Sequence, residues 1–335
     1  MHLLRLVIFY LIFIPIPFVQ ASFIDTEAET AVIIDATTGK VLFEKEMNKK
    51  ITASFYNPKE IKLPPYFRQT YNGKGHFKDI IFTTNNNKAD FHIVGTWIDE
   101  IDNIKGKNII YIQQEPPEVK LPNKNILDYS TLAISPFNIE HKVKQFITPP
   151  VLQWTYDLNV ELKPGKGHIF SEYDKASKLE QLLFSDPPKK EKLCSIVVSK
   201  KAFLNGHKDR LNFTADLMDH FKNKIDFFGF GIKDLKNKKD AIDPYLFSIA
   251  IENSKHNNYW TEKIADVFLG NTMPIYHGCN NIYDFFPNNS LVNINIYDKD
   301  EAIAKIEDCL NNPDKFYNSS VFDARRRVIL DYNMF

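Results

Sequence analysis

Phe247-Ser-Ile-Ala-Ile-Glu-Asn-Ser254, followed by Tyr259-Trp-Thr-Glu-Lys-Ile264, decides the fold. The apolar run ending at Ile251 has the length of an inner strand, and Ile264, Val267 and Phe268 then follow helical spacing. Thr261 is a good N-cap, and Glu262 favours the first turn that it opens. Open α/β sheets bind ligands beyond the carboxyl ends of their strands, and the free N–H groups of a helix start suit a phosphate. Glu252, Asn253, Tyr259, Glu262 and Lys263 therefore border one crevice fit for a diphosphate. An ordinary βα unit with a solvated loop has the same spacing, so spacing alone leaves both readings open.

The pattern F-x-x-A-x-E-N-S, then Y-x-T-E-K, then Asn271-Thr-Met-Pro-Ile-Tyr-His-Gly278 resembles the donor-site signature of the α-1,3-fucosyltransferases, glycosyltransferase family 10. The likeness continues through Phe285-Phe-Pro287 and Ser290-Leu-Val-Asn293. It covers residues 190–300 well and 60–190 weakly. The resemblance implies an α/β fold of GT-B type, two Rossmann-like domains facing a central cleft, with GDP-fucose as donor and an oligosaccharide as acceptor. It requires no metal, and the sequence leaves open stimulation by a divalent cation.

Lysine plus arginine number 42, and so do aspartate plus glutamate, which argues against bulk electrostatic binding of nucleic acid. At 335 residues, with 27 Phe and 15 Tyr, the chain is long and apolar enough for two packed domains. Cys194, Cys279 and Cys309 are odd in number and widely spaced, so buried free thiols are expected.

Residues 1–21 read as a signal peptide or anchor: His2 and Arg5, an apolar run from Leu6 to Phe18, and Val19-Gln-Ala21 as a cleavage site. Membrane association through this end is the alternative to cleavage. Residues 22–54 read as a leader hairpin around Thr38-Gly39. With Thr52-Ala-Ser54 it resembles the start of a D-alanyl-D-alanine carboxypeptidase of the penicillin-binding family. That family's nucleophile opens S-x-x-K, but Phe-Tyr-Asn57 follows Ser54, so the activating lysine is missing. A fused or mis-joined leader, packing poorly on the rest, is the expectation.

Residues 55–185 form the expected acceptor domain. Asp79–Thr83, Phe91–Gly95 and Asn108–Gln113 are three short apolar runs suited to a parallel sheet, and Thr131–Ser135 adds a fourth step. Gln113-Gln-Glu-Pro-Pro117 follows the third run, where sites gather. The resemblance implies that Glu115 is the general base. Trp154 is either core or a platform for the acceptor. Ser185–Glu191 is the candidate linker, its lysines solvated.

Residues 190–325 form the expected GDP-fucose-binding domain. Leu193–Ser199 reads as a strand and Lys208–Phe221 as a helix, with Arg210 in its first turn, where a cation gains nothing from the dipole unless it faces an anion. The resemblance implies that Arg210 contacts the donor diphosphate. Ile225–Gly231 is a strand and glycine turn without dinucleotide spacing, Glu301–Leu310 a closing helix, and Arg325-Arg-Arg327 a solvated face.

The expected reaction is inverting transfer of L-fucose to a glycan hydroxyl, α-1,3 to N-acetylglucosamine. Lys263 and Arg210 would stabilise the departing GDP, Glu252 and Glu262 would bind donor hydroxyls, and Asn253 and Tyr259 would orient the donor. The alternatives are a non-catalytic nucleotide-sugar or glycan-binding relative, and a GT-B transferase of another sugar. The N-terminal segment and the sequons at Asn212, Asn288 and Asn318 point to a secretory or membrane-associated setting, the Golgi in a eukaryote, whereas a mis-joined bacterial leader would leave a cytoplasmic enzyme.

Overall fold

The computed structural model describes residues 31–34, 41–45, 50–56, 65–77, 79–151, 153–163, 167–171, 175–199, 202, 204–229 and 232–333, with 31–34, 41–45, 65–66, 161–163 and 167–171 described by backbone alone. Residues 1–21 and the Thr38-Gly39 turn lie outside the described residues. β1 (Ala31–Ile34) and β2 (Val41–Lys45) pair antiparallel.

The first domain then runs through β3 (Ile51–Phe55), β4 (His76–Phe77), β5 (Ile80–Thr84), β6 (Phe91–Gly95), β7 (Ile109–Ile112), α1 (Lys124–Leu127), β8 (Ser130–Ser135) and β9 (Gln145–Ile147). These strands form one sheet in the order β4-β5-β3-β6-β7-β8-β9, parallel except for β4. Val94, Ile109, Tyr111, Ile126, Leu127 and Ala133 pack on one of its faces.

The domain boundary expected after residue 54 is corrected here, because it falls inside β3. That strand pairs with both β5 and β6, and Ala53 and Ser54 are buried. Thr52 donates from its N–H and Oγ1 to Asp90 Oδ2 at 2.8 Å, and Ser54 Oγ accepts from Asn86 N at 2.9 Å. Residues 51–54 are an inner strand of the first sheet, not the tail of a loosely packed leader.

β10 (Asn159–Lys163) and β11 (Gly167–Ser171) form an antiparallel hairpin, and α2 (Leu179–Phe184) follows. The second domain comprises β12 (Lys192–Val197), α3 (Asn205–Phe221), β13 (Ile225–Phe228), β14 (Tyr245–Ile251), α4 (Glu262–Leu269), β15 (Met273–His277), β16 (Val292–Asn293), α5 (Lys299–Asn311), α6 (Pro313–Phe316) and α7 (Ser320–Leu330). Its sheet is parallel throughout, in the order β13-β12-β14-β15-β16. Helices that cover both faces of such a sheet demand continuous apolar strands, which is why β15 is buried along its whole length.

Two cations expected in solvent are drawn inward instead, Arg325 buried and Lys190 half-buried. Arg325 donates to Leu182 O and to Ser185 Oγ, so α7 is bolted onto the end of α2 rather than offering a solvated basic face. Lys190, expected to be solvated, donates from Nζ to Asp243 O at 2.9 Å, Gly270 O at 2.7 Å and Thr272 Oγ1 at 2.7 Å. Both cations meet oxygens from segments remote in sequence, which lowers the cost of burying them.

The two domains share a core. Phe67, Phe82, Trp154 and Leu179 belong to the same apolar cluster as Trp260, Ile264, Phe268 and Val328. The chain end returns to the first domain, where Asn333 Nδ2 donates to Gln69 O at 2.7 Å. Among the described residues, no helix is long and apolar enough to cross a membrane.

Candidate active site

A crevice of about 350 Å³ lies between the domains, within the size range of small-ligand sites. Glu115 and Gln114 line it from the first domain, and Arg210, Asn253, Tyr259, Glu262 and Lys263 from the second. Six of the seven residues singled out in the sequence therefore line one cavity. Glu252 does not.

The reason lies in the join between β14 and α4. Thr261 is an extended N-cap whose Oγ1 accepts from Lys263 N at 3.3 Å. Glu252, only 2% exposed, sits beneath that cap. It accepts from Thr261 N at 2.8 Å and from Thr261 Oγ1, and Lys263 Nζ lies 3.2 Å from its Oε2. The expectation that Glu252 meets a sugar hydroxyl is corrected: its oxygens are engaged in holding Thr261 and Lys263 in place. Burial pushes its carboxyl pKa up, while Lys263 and Thr261 pull it back.

Lys263 also reaches Glu262 Oε1 at 3.4 Å. Burial disfavours its charge, but Glu252 and Glu262 outweigh burial and raise the ammonium pKa, so this cation stays charged. For Glu262 burial acts upward, and Lys263 and Lys238 together bring the carboxyl below its usual range.

Arg210 lies in the second turn of α3, not the first. The helix begins at Asn205 because Gly206 lets it start against the β14 end: a Cβ there would lie 1.9 Å from Asn253 O. The buried guanidinium donates to Asn253 Oδ1 and, at 3.1 Å, to Ser199 O. Burial lowers its pKa, and Glu252 and Glu262 oppose that. Arg210 thus orients Asn253 and brings a second cation to the crevice.

Glu115 follows β7, and its position is set by Gln113. Gln113 Nε2 donates to Glu115 O at 2.7 Å and to Lys120 O at 2.8 Å, while Tyr111 OH donates to Gln113 Oε1 at 2.6 Å. On the other side, Tyr259 is buried and stacks on Phe137 of the first domain, ring centroids 5.8 Å apart. His256 Nε2 lies 3.0 Å from Glu118 Oε1, so the loop carrying Tyr259 is docked across the cleft beside Glu115.

Lys238 and Thr155, which also line the crevice, were not marked by the sequence. Lys238 Nζ pairs with the fully buried Asp266 at 2.8 Å, and Thr155 N donates to the same carboxylate at 3.1 Å. A lysine in a lysine-rich turn carries no signal of this, because its partner lies across the fold. Trp154 is core, 2% exposed, and is no platform. Among the described residues no three His, Cys, Asp or Glu side chains group as metal ligands. The three cysteines are free and buried.

Residues 187–330 match the sequence model of glycosyltransferase family 10 (fucosyltransferase), C-terminal part. The chain is 36% identical over 74 residues to the alpha-(1,3)-fucosyltransferase FucT of Helicobacter pylori, covering 22% of this chain and 16% of that protein. It is 28% identical over 137 residues to the human 4-galactosyl-N-acetylglucosaminide 3-alpha-L-fucosyltransferase 9, covering 39% of this chain and 37% of the relative. The crystal structure of an alpha1,3-fucosyltransferase with GDP superposes with a TM-score of 0.50 at 20% identity, over 82% of this chain and 81% of that one. The C-terminal half therefore matches glycosyltransferase family 10, and the chain as a whole has the two-domain α/β fold of the GT-B type.

Proposed function

We propose that the chain is an inverting fucosyltransferase that moves L-fucose from GDP-fucose to a hydroxyl of a glycan acceptor, at the 3-position of N-acetylglucosamine. The observation that carries this reading is the convergence, on the lining of one interdomain crevice, of a carboxylate from one domain, Glu115, and two cations from the other, Arg210 and Lys263. The family match over the C-terminal half supports the same reading.

Glu115 takes the proton from the acceptor hydroxyl as its oxygen attacks the anomeric carbon. The bond from that carbon to the β-phosphate oxygen breaks on the opposite face, inverting the centre, and GDP leaves with added negative charge. Lys263 and Arg210 stabilise that charge, aided by the N–H groups at the start of α4. Glu262 accepts from donor hydroxyls, and Asn253 and Tyr259 orient the donor. Glu252 acts through Lys263 and Thr261. With two side-chain cations supplied, the reaction needs no metal in this reading.

Incubation of the purified chain with a panel of nucleotide sugars and N-acetyllactosamine, with product linkage determined by NMR, tests the proposal. Transfer from GDP-fucose alone, giving an α-1,3 linkage, supports it. Preference for another sugar nucleotide overturns the donor assignment.

A further inference from the structure

Glu115 and Glu118 share one short turn, and a single side chain fastens both of its ends. Gln113 Nε2 donates to Glu115 O at 2.7 Å and to Lys120 O at 2.8 Å. Inside the turn, Val119 N and Lys120 N both donate to Pro116 O, at 2.9 and 3.1 Å. Pro116 and Pro117 fix two of its φ angles. Residues 115–120 therefore move as one piece, and a pull on Glu118 is felt at Glu115.

That pull comes from the second domain. His256 Nε2 lies 3.0 Å from Glu118 Oε1; an ionised carboxylate only accepts, so Nε2 carries the proton and donates. The imidazole is steered by two rings, Phe137 meeting it edge-on at 5.1 Å and Tyr259 at 6.5 Å. His256 stands in the loop between Asn253 and Tyr259, both of which line the crevice. Asn258 anchors that loop to its own domain: its N donates to Asn281 Oδ1 at 2.7 Å, and its Oδ1 accepts from Asn281 Nδ2 at 2.9 Å. Asn280 N adds a bond to His256 O at 3.1 Å. One loop thus carries two donor-side residues and holds the turn that carries the base.

With 32% and 52% of their side chains exposed, His256 and Glu118 add little to stability as a pair. Their weight is geometric. A general base must lie within hydrogen-bond reach of the proton it takes, and a misplacement of about 1 Å can cost roughly 10²-fold in rate.

We propose that His256, acting through Glu118, is a positioning residue for Glu115: it sets the base of the first domain in register with the donor loop of the second. This rests on the transferase reading above. Neither His256 nor Glu118 is on the crevice lining, so both act at a remove from the reacting atoms.

The test uses the full chain with GDP-fucose and N-acetyllactosamine. Wild type, Glu118→Ala, His256→Ala, the double variant, Glu118→Gln and His256→Gln are compared for kcat, both KM values and GDP affinity. The expected result is a loss of roughly tenfold or more in kcat in each alanine variant. In Glu118→Ala the GDP affinity and donor KM should stay at the wild-type values, which also shows that this variant is folded. The double variant should be no slower than the slower single one, because the two residues act as a unit. Glu118→Gln keeps an acceptor and His256→Gln a donor, so each should recover part of the loss. Wild-type kcat in either alanine variant, or losses that multiply in the double variant, overturns the positioning role. So does a fall in GDP affinity that accounts for the whole effect of Glu118→Ala. Wild type without acceptor-dependent turnover instead overturns the function on which the role rests.

Discussion

Lys263 Nζ lies 3.2 Å from Glu252 Oε2 beneath the first turn of α4, with the glutamate wholly buried and the lysine reaching the crevice. One carboxylate thereby anchors both the helix cap and the cation next to it. Removing it leaves Lys263 with Glu262 and the Thr261 hydroxyl, and removes the acceptor for Thr261 N. Breaking a buried pair on one side costs roughly 3 kcal/mol or more. Glu252→Ala should lower unfolding stability by about that amount in urea titration, and Glu252→Gln, which keeps an acceptor for Thr261, should lose less.

Arg325 supplies a second test of the packing. Its guanidinium satisfies Leu182 O and Ser185 Oγ at the end of α2. Arg325→Ala should destabilise by roughly 2 kcal/mol, because charge-assisted hydrogen bonds are lost and a buried carbonyl is left unpaired. Arg326→Ala, at an exposed position, should change the melting temperature little.

Stability should depend on Lys190. Burial pushes its ammonium down to about 7, with Asp243 opposing and Arg325 adding to the fall. The folded pKa lies below the unfolded one, so between pH 7 and the ordinary lysine range the unfolded chain binds more protons. Its contribution is therefore full above the unfolded pKa and is lost as pH falls toward 7. Lys190→Met should flatten the rise in stability measured by chemical denaturation between pH 7 and 10. An unchanged slope would show that Lys190 is not the group responsible.

Arg210 should serve donor binding more than turnover. It is held by Asn253 and Ser199 in the free protein. Arg210→Lys keeps a charge but loses the planar fork that grips Asn253. Titration calorimetry should show GDP binding at least tenfold weaker in this variant, a loss of about 1.4 kcal/mol.

The donor half was readable because its signals are local. Thr261 and Glu262 mark a helix start within two residues, and Ile264, Val267 and Phe268 mark its buried face, as observed. What stayed hidden involves groups satisfied over long range. Asp266 looks like a solvated residue on α4, yet it is fully buried because Thr155 and Lys238 reach it from far along the chain. Lys190 and Arg325 hide for the same reason. The misplaced boundary at Ser54 had another cause: the likeness of the preceding segment to a peptidase leader drew the line inside β3, although Ile51–Phe55 pairs on both sides within the first sheet. Glu252 was found but miscast, since a carboxylate at a strand end looks the same whether it points into the crevice or under the next helix.

The most direct test is acceptor-dependent GDP release from GDP-fucose by wild type, Glu115→Gln and Lys263→Ala, with GDP affinity measured alongside. The account predicts that Glu115→Gln binds GDP normally but turns over roughly 10²–10⁴-fold more slowly. It predicts that Lys263→Ala loses roughly 100-fold in turnover together with GDP affinity. Glu115→Gln turning over at the wild-type rate, or Lys263→Ala binding GDP unchanged, would contradict the division of labour across the cleft.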